Sequence, residues 1–181
     1  MKSLILLYSL IQLGHDTDKI KLTTTGAGPE PINIVSELKV PSYQISYRSL
    51  NWSDFKGPIT KSVAAETTTQ LQLDWEETDG KYTFKVTAWF LPYESFTCTD
   101  RQEILDHENL HFSISALKAY QCNKALSKCN NLKEAYRIYN RCVDSLEKLQ
   151  ELYDRETKHS QNPTIQKLWE HNILMDLNKL K

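Results

Sequence analysis

The chain has no apolar run long enough to cross a bilayer. Its longest, residues 4–11, falls well short of the roughly 20 residues a spanning helix needs. It has no Cys-x-x-Cys pair among its 4 cysteines, Cys98, Cys122, Cys129 and Cys142, which argues against a thiolate zinc site. It has no excess of either charge. With 22 Lys and Arg against 23 Asp and Glu, the net charge is −1, and no basic face suggests nucleic acid or anionic lipid as a partner. It also lacks internal repeats and low-complexity tracts. What remains is 181 residues with 40% hydrophobic content, enough for a core within one domain.

Histidine is scarce too, with 5 in all, yet two of them fall in His107-Glu108-Asn109-Leu110-His111, an H-E-x-x-H pattern. Residues four apart share one face of a helix. The spacing lets two imidazoles hold one metal ion, and Glu108 beside them can take a proton from water on that ion. The neighbours support a helix. Thr99 and Asp100 are candidate N-caps, with Gln102 and Glu103 three residues on as a capping box. No Gly or Pro interrupts the stretch to Leu117. At about 100° per residue, His107 and His111 lie about 40° apart, beside Ile104, Ile114 and Ser115. Asp106, Asn109 and Ser113 form a polar strip opposite. The histidines therefore face an apolar setting. The alternative is a hydrogen-bonded trio in an ordinary core. Burying two histidines and a glutamate without a partner is costly, which favours the metal.

Catalytic zinc takes three protein ligands and keeps one position open. The other histidines are His15, His159 and His171. His159 closes the stretch Tyr153-Asp154-Arg155-Glu156-Thr157-Lys158-His159-Ser160, so the third-ligand candidates are His159, Glu156 and Asp154. An antiparallel pair of long helices would bring that stretch back to His107. Tyr153 is a candidate oxyanion donor, and Tyr153 or Asp154 a candidate second-sphere partner of a ligand imidazole.

Elsewhere the chain reads in order. Residues 1–14, one lysine followed by a short apolar run, have the form of a secretory signal peptide, with a buried strand or helix as the alternative. Residues 15–40, with Thr23 to Pro31 at their centre, read as an exposed tether. Residues 43–47 alternate as a strand. Ser53 is placed to cap a helical turn that Gly57-Pro58 ends, with Trp52 and Phe55 as core anchors. Thr67, Thr69, Leu71, Leu73 and Trp75 line one face of a strand. Asp79-Gly80 marks a turn, and Tyr82, Phe84, Val86, Ala88 and Phe90 line the return strand, which Pro92 stops. A long amphipathic helix follows Asn130-Asn131, in which Cys142 would face Cys122 if the helices form a hairpin. A last helix follows Asn162-Pro163. The expected fold is α+β and zincin-like: a small antiparallel sheet packed on the H-E-x-x-H helix, then a long helix and a C-terminal helix, all within residues 41–181.

From about residue 40 to the end, the chain resembles a bacterial family of unknown function described as secreted zinc-dependent proteases. The resemblance is carried by Trp52-Ser53-Asp54-Phe55-Lys56-Gly57, Ala64-Ala65-Glu66-Thr67, His107 to Phe112 and Tyr153 to His159, in that order, with Gln166 and Trp169 trailing. Two positions depart from its pattern: Phe96 stands where Trp is usual, and Ser160 where Gly is usual. The resemblance implies export, zinc and peptidase activity, with His107, His111 and a residue of the Tyr153–His159 stretch as ligands.

The expectation is an exported zinc metallopeptidase, periplasmic or extracellular, acting on a peptide or protein substrate, with Glu108 as general base. A hairpin edge would align the substrate. Its rivals are a non-catalytic zinc-binding envelope scaffold or peptide-binding module, and a metal-free helical interaction protein.

Overall fold

The computed structural model of the chain describes residues 2–5 and 44–180. The tether assigned to residues 15–40, and most of the signal-like segment, lie outside the described residues. Of that segment, Lys2–Ile5 forms a strand, β1. Ile45–Ser46 (β2) is the described part of the strand expected over 43–47.

The hairpin is as long as the alternation suggests: Thr69–Thr78 (β4) and Lys81–Phe90 (β5), in register from Thr69 opposite Phe90 to Thr78 opposite Lys81. Asp79 and Gly80 both have positive φ, 52° and 72°, as a two-residue hairpin turn of matching twist requires. The sheet is antiparallel, in the order β1-β4-β5-β2, with one face carrying buried Leu71, Leu73, Val86, Ala88 and Phe90. Two short strands, Ala65–Glu66 (β3) and Phe96–Thr97 (β6), pair separately.

Between β2 and β3 a 3-10 turn spans Trp52–Asp54. Asn51, not Ser53, caps it, with Asp54 completing a capping box. Gly57 then passes so close to the Tyr93–Ser95 loop that a Cβ would lie 2.7 Å from Tyr93 O. Only glycine allows that approach without shifting backbone.

Three helices follow: Gln102–Leu126 (α1), Leu132–Thr157 (α2) and Pro163–Asn178 (α3). Asn131 and Asn162 cap the second and third, and Pro163 starts α3 where a missing N–H is harmless. At α1 the expected cap gives way. Arg101 occupies the N-cap without a side-chain bond, and Thr99 Oγ1 accepts from Arg101 N just upstream.

α1 packs on β4 and β5, with α2 and α3 against its other side. Its middle turns are therefore mostly covered; of the polar strip, Asp106 is exposed, while Asn109 is half-buried and Ser113 buried. Asn109 accepts from Leu50 N (2.6 Å) and donates to Leu50 O (3.2 Å), and Ser113 shares a hydrogen bond with Tyr47. Asn123, further along α1, grips Val86 N and O in the same way, at 2.7 Å each. Two asparagines thus act as surrogate strands, satisfying backbone groups that burial would otherwise penalise. α2 is one-sided: Ala135, Tyr139, Val143, Leu146, Gln150, Tyr153 and Thr157 recur at three- and four-residue steps and are buried. No described helix is long and apolar enough to cross a membrane.

Candidate metal centre

The α1 and α2 axes run antiparallel, so the start of α1 meets the end of α2. His107 pairs with Asp154, and His111 with Gln150 one turn on. The Nε2 atoms of His107 and His111 lie 3.2 Å apart, and Asp154 Oδ1 lies 3.1 Å from the first and 3.0 Å from the second. Three ligand-type atoms thus converge in a near-equilateral triangle. Donor atoms around a tetrahedral zinc are about 3.4 Å apart, so the triangle fits a small divalent ion with slight expansion.

The far side of each ring is also specified. His107 Nδ1 is 3.0 Å from Gln166 Oε1, and His111 Nδ1 is 2.5 Å from Gln150 Oε1. The orientation of Gln150 is fixed because its Nε2 donates to His111 O at 2.9 Å and to Ser115 Oγ at 3.1 Å. Its Oε1 is therefore an acceptor, and His111 Nδ1 carries a proton. In the neutral rings, both Nε2 atoms then point lone pairs at each other and at a carboxylate oxygen. That arrangement needs a positive charge at its centre, either protons or a metal ion. Without a metal the answer is a proton. Burial alone would depress the His111 pKa, but the hydrogen bond and charge of Asp154 outweigh it and push it up to about 9. Burial likewise opposes charge on Asp154, yet the bonds from both imidazoles hold its carboxyl well below the ordinary range.

Tyr153 is fully buried behind the rings, stacked on His107 with centroids 4.6 Å apart and edge-on to His111 at 4.8 Å. Its hydroxyl donates to His107 O at 3.3 Å, so this proton is committed to the helix backbone. Burial pushes its pKa up. Its ring thus packs against both imidazoles while its hydroxyl supports the backbone of α1.

Among the third-ligand candidates, Asp154 is in the triangle. Glu156 points away and accepts from Trp169 Nε1 at 2.9 Å. His159 stands at the rim, its side chain 63% exposed, with Nδ1 3.5 Å from Asp154 Oδ1. It is outside the group whose ligand atoms lie within 4.8 Å of one another. The helix has ended by then: Lys158, His159 and Ser160 all adopt left-handed backbone, with φ of 51°, 50° and 69°. Ser160 thus takes the conformation for which glycine is best suited. Glu108 is 5% exposed and makes no hydrogen bond among the described residues, while its charge reaches His111 and Tyr153. His171 is exposed on α3, and His15 lies outside the described residues.

The sequence reading passed over Gln150. Its signal was a polar residue in phase with the apolar stripe of α2, where burial demands partners. Gln166 was visible only as a trailing match. The hairpin edges expected to receive a substrate are partly taken: β1 covers β4 from Gln72 to Trp75, β2 covers β5 at Trp89 and Phe90, and Asn123 covers Val86.

The fold and site thus define an α+β protein with a buried His-His-Asp cluster fit for a metal ion. The chain matches no family model, no curated protein and no solved structure.

Proposed function

We propose that this chain is an exported, zincin-like zinc peptidase. The observation that carries the reading is the triangle of His107 Nε2, His111 Nε2 and Asp154 Oδ1, with both rings held from behind by glutamines and a buried carboxylate, Glu108, next to His107 in the chain. A divalent ion bound there would supply Lewis acidity, acidifying water and polarising a carbonyl. The residues supply the rest. Gln166 and Gln150 keep the imidazole protons on Nδ1, so that Nε2 is free to bind. Asp154 adds one negative charge. Glu108, without a competing hydrogen bond among the described residues, takes the proton from the attacking water and returns it to the leaving amine.

The test is zinc content and peptide hydrolysis by the full chain, wild type against Glu108→Gln. Zinc retained with hydrolysis reduced about 100-fold or more supports the proposal. Equal hydrolysis by both proteins overturns it.

The second reading, a non-catalytic zinc-binding scaffold, is favoured by one feature. His159 stands 3.5 Å from Asp154, close enough to the open side for a modest movement to complete four protein ligands. That reading predicts tight zinc binding and no hydrolysis by the wild type.

A further inference from the structure

The helix pair that builds the cluster keeps a constant register along its length. His107 meets Asp154, His111 meets Gln150, and Lys118 Nζ donates to Ser145 Oγ at 3.0 Å. Each turn forward on α1 matches about one turn back on α2. The next match is Cys122 with Cys142: the register places them opposite one another, with Cys122 inside the core and Cys142 packed against it from α2. Cys122 is fully buried, while Cys142 is half-buried at the edge of the core. The other two cysteines direct their S–H groups to backbone carbonyls, Cys98 to Val63 and Ala64, and Cys129 to Asn131.

We propose that Cys122 and Cys142 are an oxidative modification site, forming an interhelical disulfide that locks the register of α1 against α2. Cys122 lies eleven residues beyond His111, about 16 Å along α1. The cross-link would therefore tie together, at a distance, the two helices that contribute His107, His111 and Asp154. It needs no metal and no hydrolysis, so it stands or falls independently of the proposed function.

The chemistry is thiol–disulfide exchange with an external disulfide as oxidant. Cys142 is placed to begin it. It is the more accessible thiol, and the hydrogen bond from Cys122, with the Lys118 ammonium nearby, holds its pKa below the ordinary thiol value despite burial. Its thiolate attacks the external disulfide, forming a mixed disulfide and releasing one thiol. Cys122, whose own pKa is raised by its bond to Cys142 and by burial, loses its proton as it attacks Cys142 sulfur. The second external thiol leaves. Two electrons and two protons pass to the oxidant, and one S–S bond joins the helices.

The test is oxidation of the folded full chain with oxidised glutathione, then alkylation under denaturing conditions, peptide mapping and a thermal melt. The expected result is a mass loss of about 2 Da, a linked peptide containing Cys122 and Cys142, and alkylation confined to Cys98 and Cys129. Closing this loop should raise Tm by on the order of 5–10 °C, reversibly with dithiothreitol. Cys142→Ala, a change at a partly exposed site, should fold and lose both the link and the Tm response. Alkylation of Cys122 and Cys142 after oxidation, or the same Tm response in Cys142→Ala, would overturn the proposal.

Discussion

Gln150 holds His111 twice: its amide oxygen accepts from the ring Nδ1 at 2.5 Å, and its amide nitrogen donates to the backbone oxygen of the same residue at 2.9 Å. The ring is fixed in tautomer and in angle by a residue on another helix. That helix also brings Asp154, so the support of the ring and the third atom of the triangle arrive together.

Replacing Gln150 should therefore weaken metal binding without removing a ligand. Gln150→Leu is expected to lower zinc affinity about 10- to 100-fold. It also leaves the buried His111 N–H without an acceptor, costing on the order of 1–3 kcal/mol of stability. Competition titration against a chromogenic chelator and denaturant unfolding measure the two effects. An unchanged zinc affinity would show that the ring needs no support from α2.

Asp154 and His159 separate by substitution. Asp154→Ala removes a triangle atom and should abolish stoichiometric zinc uptake. His159→Ala removes a mostly exposed ring and should retain it. Equilibrium dialysis with metal analysis distinguishes them, and the reverse pattern would assign the third ligand to His159.

The metal-free protein should be stable over a bounded pH range. The folded His111 pKa, about 9, lies above its ordinary value of 6.5, so protonated His111 stabilises fully below about 6.5. This contribution is lost as pH rises through about 9. The Asp154 carboxyl is held below its ordinary value of 3.8, so its contribution is present above about 3.8 and is lost as pH falls further. Urea melts in chelator from about pH 3 to 10 should show a maximum between those limits. Bound metal replaces the proton on His111, so zinc affinity should rise with pH across the upper part of the range. A flat stability profile above pH 6.5 would contradict the His111–Asp154 pairing.

Ser160 is held at a φ of 69°, the third left-handed residue in succession. Ser160→Gly should relieve about 1 kcal/mol of backbone strain, partly offset by the greater freedom of glycine when unfolded. A net gain of about 0.5 kcal/mol, or roughly 1–2 °C in Tm, is expected. Zinc uptake should be unchanged, because Asp154, the acid of the triangle, lies within α2. A loss of stability would mean that the Ser160 side chain makes a compensating contact.

Local features of the chain were legible in its sequence because their causes are local. Alternation marked the hairpin and its buried face, Asp79-Gly80 its turn, and Asn162-Pro163 the start of the last helix. The four-residue step of His107 and His111 placed both rings on one helical face. Where a contact crosses the chain, the signal weakened. Asn109 read only as part of a polar strip, because periodicity does not register a backbone segment such as Leu50 that needs a hydrogen-bonding partner.

By itself, then, the sequence determined that two imidazoles share a face beside a carboxylate, since helix geometry alone dictates it. Which residue completes the cluster was decided by tertiary structure. Asp154, Glu156 and His159 are close neighbours in the chain, but a helix turns each by about 100° per residue and ends before the last. Only the antiparallel docking of α2 on α1 points Asp154 inward, turns Glu156 toward Trp169, and leaves His159 at the rim. The same docking brings Gln150 behind His111, a pairing that no spacing along the chain records.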